Sequence, residues 1–169
     1  MYHTIVKRIA RKNFLRVNAK EFDALLADCT PDIRHRFGGN HALGGERRDR
    51  EALRAWFGRL GRLGEHLTLT VEDVWVKGMP HDTVIIIRWS ATDQLPDGSA
   101  YRNRGVHIVK MRWGKVTEID AHEDSQAVAE GLRKQSAIGI AEAAAPPITS
   151  CSLAERMPLG DRELPRRCR

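Results

Sequence analysis

The chain reads as an α+β fold in which helices come first and a bent, mostly antiparallel sheet follows. Two observations predict it. Up to about residue 63 the apolar side chains recur at helical spacing, whereas from Leu67 onward they alternate at period two. Turn signals at Pro96-Asp97-Gly98 and Trp113-Gly114 then fold the strands back on one another, so they form a meander and not alternating β-α-β units.

The elements follow in order. Val6, Ile9, Ala10, Asn13, Phe14 and Val17 make one stripe between about Thr4 and Val17, with Lys7, Arg8, Arg11 and Lys12 on the solvated side. Asn18-Ala19-Lys20-Glu21 has the form of a capping box before a second short helix carrying Phe22, Leu25 and Leu26, which stops near Thr30-Pro31. Ile33 to Phe37 is a short strand candidate, and the glycine-rich run from Gly38 to Gly45 is a loop. Asp49 caps a third helix, Arg50 to Leu63, whose stripe is Leu53, Trp56, Phe57, Leu60 and Leu63.

Leu67, Leu69 and Val71 share one face of the next strand, and Val74 and Val76 fall out of phase with them. That slip predicts a β-bulge at Glu72-Asp73. Thr83 to Ala91 is a strongly apolar strand, Tyr101 to Arg112 the next, and Asp124 or Ser125 caps a last helix through Leu132. One domain over residues 1–134 and a loosely held tail over 135–169 are expected.

Composition excludes several classes. With 41% hydrophobic and 30% charged residues the chain is ordinary for a soluble protein, and it holds no apolar run long enough for a bilayer. Charges interrupt the first residues, so no secretory signal is legible and a cytoplasmic location is expected. Cys29, Cys151 and Cys168 lack any zinc-ligand spacing and read as free thiols. The net charge of +6 is spread along the chain, with Arg162, Arg166, Arg167 and Arg169 near its end, so neither nucleic acid nor membrane is an expected partner.

The chemistry concentrates in the last hairpin. If Trp113-Gly114 is a two-residue turn and Arg112 pairs with Lys115, a uniform register sets Ile108 opposite Ile119 and Arg104 opposite Glu123. The other face then gathers His107 opposite Asp120, His122 opposite Gly105, and Asn103 opposite Asp124. A three-residue turn with a bulge would move one strand's side chains to the opposite face and destroy the cluster.

The order helix, helix, strand, glycine-rich loop, helix and bent meander resembles the nuclear-transport-factor-2-like, or ketosteroid-isomerase-like, cone, and within it the SnoaL-like polyketide cyclase group. The likeness spans roughly residues 3–134. It is carried by Phe14, Phe22-Asp23-Ala24-Leu25-Leu26, Trp56-Phe57, Arg102-Asn103-Arg104-Gly105-Val106-His107, Gly114-Lys115-Val116-Thr117-Glu118-Ile119 and Asp124-Ser125. The resemblance implies a cone-shaped, strongly bent sheet with the N-terminal helices on its concave face. It also implies an acid/base aspartate at the end of the last strand, matching Asp124, with a helping histidine at His107. His122 stands where relatives commonly carry tyrosine.

The resulting expectation is a metal-free, cofactor-free acid/base enzyme, performing cyclisation, isomerisation or dehydration next to a carbonyl. Asp124 or Asp120 would take the proton, His107 would polarise or orient, and His122 and Asn103 would hydrogen-bond the oxyanion. Trp56, His41 in the glycine loop and Arg88 in the apolar strand complete the candidate ligand contacts. Structural roles compete with each of these: Asp124 as a helix cap, His107 with Asp120 as a buried pair, Arg88 in a salt bridge. A two-histidine, one-carboxylate metal triad has the right residue types but is the lesser reading. The expected ligand is a small apolar or aromatic carbonyl compound. The expected assembly is a homodimer, and the rival function is a non-catalytic binding or dimerisation module.

Overall fold

The computed structural model describes residues 1–150. The chain runs α1 (Tyr2–Asn18), α2 (Phe22–Ala27), β1 (Cys29–Phe37), β2 (Gly45–Arg47), α3 (Arg50–Leu63), β3 (Thr68–Met79), β4 (Asp82–Gln94), β5 (Ala100–Arg112), β6 (Lys115–Glu123) and α4 (Ser125–Ala137). The six strands form one unclosed sheet in the order β2-β1-β6-β5-β4-β3, antiparallel except where β1 runs parallel to β6. This is the α+β architecture anticipated from the helix-then-strand order.

The alternation of β4 defines the two faces. Thr83, Ile85, Ile87, Trp89 and Ala91 are buried, while the residues between them are exposed or half-buried. Onto this inner face α1 lays Val6, Ala10 and Phe14, one turn apart, and α2, α3 and α4 close the other half around Leu26, Ile33 and Leu53. The register of β3 against β4 slips between Val71 and Asp73, so the anticipated bulge is present and bends the sheet around the helices.

Helix ends follow local chemistry. The Asp49 carboxylate accepts the Ala52 N–H at 2.7 Å, and Asp124 accepts that of Ala127 at 3.1 Å. The expected capping box before α2 does not form. Lys20 takes a positive φ of 57°, Glu21 becomes the N-cap residue, and Asn18 instead exchanges two hydrogen bonds with the backbone of Leu69 on β3. An unpaired strand edge offers Asn18 both a donor and an acceptor, which a six-residue helix cannot match.

The glycine-rich segment is more ordered than a loop. Its end pairs with β1 as β2, and its carbonyls are held from three directions. The Trp56 indole N–H donates to Leu43 O at 2.7 Å, Arg59 to Ala42 O at 2.8 Å, and the fully buried Arg47 to Gly44 O at 3.1 Å. Of the tail expected over 135–169, the part through Ser150 is stitched to the body. The α4 helix continues to Ala137, Glu142 bonds the Arg62 guanidinium, Arg59 donates to Pro146 O, and Ser150 accepts the Arg48 N–H. Cys151, Cys168 and the four late arginines lie outside the described residues. Among the described residues, no helix is long and apolar enough to cross a membrane.

Candidate active site

The hairpin that carries the candidate chemistry turns as expected, then departs from the uniform register. Trp113 and Gly114 both have positive φ, 50° and 80°, the twist that suits a two-residue hairpin loop. Arg112 pairs with Lys115 and Met111 with Val116. Beyond that the register slips, so Lys110 faces Glu118, Val109 faces Ile119, His107 faces Ala121 and Gly105 faces Glu123. The extra residue is Thr117, whose hydroxyl donates to Lys110 O at 3.3 Å. Burial drives the bulge: uniform pairing would turn Ile119 to solvent and Glu118 inward. With it, Ile119 joins the core and Glu118 meets Lys110 at 3.2 Å on the outside.

That one residue splits the predicted cluster between the two faces of the sheet. His107 and Asn103 face inward, as do Val109 and Met111. Asp120 and His122 lie on the outer face, opposite Ile108 and Val106, where they pair with each other at 3.1 Å. Arg88 is also on the outer face, bonded to Asp73 and 3.2 Å from Glu72, with its guanidinium near the Trp75 ring. A surface ion pair therefore accounts for the charge in the apolar strand. Asp124 is committed to capping α4. His41 sits behind Phe37, edge-on at 6.1 Å, and does not line the hollow.

The inward face encloses a cavity of about 180 Å³ between α1, α3 and the sheet. Its wall is almost wholly apolar, from Phe14, Trp56, Phe57, Ile85, Ile87 and Leu60, and Ile9, which lines it while 41% exposed, stands at its mouth. A cavity of roughly 150 Å³ lined by such side chains takes a benzene-sized guest, so the volume suits one ring. Trp56 contributes only ring surface, since its N–H is spent on Leu43 O.

Two histidines interrupt the apolar wall. His107 lies edge-on to Trp89 at 5.3 Å and near Phe14 at 5.5 Å, and burial, helped by His122, pushes its pKa down to about 4. His35, 3% exposed, packs edge-on to Trp56 at 4.4 Å. Burial first, then the nearby Arg47 charge, hold it far below the usual imidazole value. Both rings are neutral at pH 7 and present donors or acceptors without charge. His35 Nδ1 and the Trp89 indole N–H have no hydrogen-bond partner among the described residues.

Glu123 is the unforeseen acid. The bulge turns it inward, under the chain at Gly38, where an added Cβ would come within 2.9 Å of its Oε1. Neither oxygen has a partner among the described residues, and burial pushes its pKa up to about 7. The Asp120 charge adds to the rise, while the backbone N–H of Glu123, the His122 ring and the backbone N–H of Gly38 pull the other way. Gly105 opposite it is required by contact, because a Cβ there would meet His122 O at 2.3 Å and the Trp89 ring at 2.7 Å.

Asn103 is fully occupied. Its Oδ1 accepts the Arg104 N–H at 2.7 Å and the Asp124 N–H at 3.1 Å, while its Nδ2 donates to Asp124 O at 3.2 Å and to the Tyr101 hydroxyl at 2.7 Å. It holds the strand end to the helix cap and cannot bind an oxyanion as well. His35, Glu123 and Tyr101 were not among the predicted site residues. One sequence signal for Glu123 existed: Val116 and Ile119 are three residues apart and both apolar, a spacing that only a bulge can bury on one face.

A family model of the SnoaL-like domain matches residues 10–119 of the chain. Among solved structures, PrhC from Penicillium brasilianum superposes with a TM-score of 0.68 at 15% identity, over 80% of this chain and 91% of that one. An NTF2-like protein of unknown function from Burkholderia pseudomallei gives 0.65 at 14% identity, over 73% and 94%. TerC, co-crystallised with polyporic acid, gives 0.58 at 16% identity, over 74% and 95%. At such identities these likenesses establish the fold alone. No curated protein matches the chain.

Proposed function

The chain belongs to the SnoaL-like domain family, and from that premise we propose that it is a small-molecule enzyme performing acid/base chemistry next to a carbonyl. The observation that carries the reading is the pair of neutral, buried imidazoles set into an otherwise apolar, ring-sized hollow. An uncharged imidazole in such a place polarises a carbonyl and stabilises an enolate oxygen by hydrogen bonding, and the dry surroundings strengthen that bond. The ligand is a small apolar or aromatic carbonyl compound, which the apolar wall and the ring-sized volume of the hollow suit. His107 faces it directly. Asp120 and His122, behind the sheet, and Asp124, on the helix, have no part in this proposal.

A second reading is favoured by the same displacement of acids: a binding module that uses the hollow without turnover. Exchange of the hydrogens next to the carbonyl of cyclohexanone in heavy water, followed by NMR, separates the two. Acceleration by the native protein that is lost in His107→Leu supports the enzyme. Saturable binding with no acceleration in either protein supports the module.

We also propose that two copies pair through the outer sheet face, where Trp75, Ile86, Ile108 and Val106 form an apolar centre. Trp75 is 48% and Ile86 38% exposed, and charged side chains surround them. Sedimentation should give a dimer at micromolar concentration, and a strict monomer would remove this part of the proposal.

A further inference from the structure

We propose that Tyr101, held by Asn103, is the hydrogen-bond donor that seats the ligand's oxygen at the α4 end of the hollow, selecting ring compounds that carry a carbonyl over plain hydrocarbons. The inference rests on the hollow being a ligand site, and it adds the group that orients what enters.

The direction of one hydrogen bond carries it. Two backbone N–H groups, those of Arg104 and Asp124, converge on one side-chain atom of Asn103, which must therefore be its oxygen. The other atom is the amide nitrogen, and it stands 2.7 Å from the Tyr101 hydroxyl oxygen. In that contact the amide donates and the phenol accepts. The hydroxyl hydrogen of Tyr101 is thus left over, and among the described residues no acceptor takes it.

The phenol borders the hollow, and its ring is fixed from the opposite side by α4. A Cβ on Gly131 would lie 3.2 Å from the Tyr101 ring, so glycine lets the aromatic approach the helix this closely. The groups that surround the phenol keep its proton on. Burial raises its pKa, with Glu123, Asp93 and Asp124 adding to the rise and only the Asn103 hydrogen bond opposing it. Glu123 itself makes no hydrogen bond to it. A half-buried, protonated O–H whose oxygen already accepts from Asn103 can donate to a ligand acceptor atom, and discrimination by such a donor is strong because hydrocarbons leave it unpaired.

The test uses two probes of similar size, cyclohexanone and toluene, titrated by ligand-observed NMR, together with the infrared carbonyl stretch of bound cyclohexanone. Native protein should bind both, with the carbonyl band moved to lower frequency. Tyr101→Phe, which keeps the ring and its packing, should lose roughly three- to tenfold in cyclohexanone affinity, leave toluene unchanged, and return most of the band shift. Asn103→Ala, which leaves the hydroxyl in place but unaimed, should lose part of that shift with toluene affinity intact. An undiminished band shift and unchanged affinity in Tyr101→Phe would overturn the assignment while leaving the hollow as a ligand site. Failure of both probes to bind the native protein would overturn the hollow reading itself and this inference with it.

Discussion

Glu123→Gln should stabilise the protein, and only above the pH at which an ordinary glutamate ionises. The native carboxyl is buried without a hydrogen-bond partner among the described residues, and its pKa rises from 4.5 to about 7 on folding. Because the folded state holds this proton more tightly than the unfolded state, stability falls as pH rises from about 4.5, and the loss is complete just above 7. At ~1.4 kcal/mol for each tenfold change in proton affinity, the full loss is at most roughly 3 to 4 kcal/mol, and partial access of solvent trims it to ~2 kcal/mol. Glutamine fills the same space without the charge, so the variant's advantage should be near zero at pH 4.5 and should grow to ~2 kcal/mol by pH 8. Urea denaturation at half-unit pH steps measures it. Subtracting the two curves removes the histidines, which act in the opposite direction in both proteins. A difference that is flat with pH, or that shrinks above pH 6, would refute the placement of Glu123 as an unpaired buried acid.

Three further outcomes follow from the same structure. His107→Leu should gain stability relative to the native protein as pH falls from 6.5 through about 4, where the native imidazole is forced to charge in an apolar wall, and pH-dependent thermal melting will read it. Gly105→Ala should destabilise by about 3 kcal/mol or prevent folding, because the new methyl meets backbone oxygen and the Trp89 ring, and denaturation midpoints will show it. Deleting Thr117 should keep the native fold, since Met111–Val116, Lys110–Glu118 and Val109–Ile119 then pair in one unbroken ladder with Ile119 still inward, and a retained dispersed amide spectrum would report it.

The elements were legible because each rests on local rules. Helical spacing in α1 and α3, the Asp49 cap, the phase slip at Glu72-Asp73 and the two-residue turn at Trp113-Gly114 all depend on neighbours in the chain. The site was only half legible. His107, Asn103 and Trp56 reach the hollow, while Asp120, His122 and Arg88 face away from it and Asp124 caps a helix. His35 escaped notice because its burial depends on β1 running parallel to β6, a long-range pairing that no adjacent residue announces.

By itself, then, the order of residues determined the α+β plan, the Asp49 and Asp124 caps and the alternation of β4, because hydrogen bonds and apolar periodicity act over a few positions. Only the tertiary structure decided which carboxylate lies inside. A single extra residue at Thr117 costs little locally, yet with a side-chain period of two it reverses every position beyond it. The burial of Ile119 against the rest of the core selects that reversal, and that is a property of the assembled sheet.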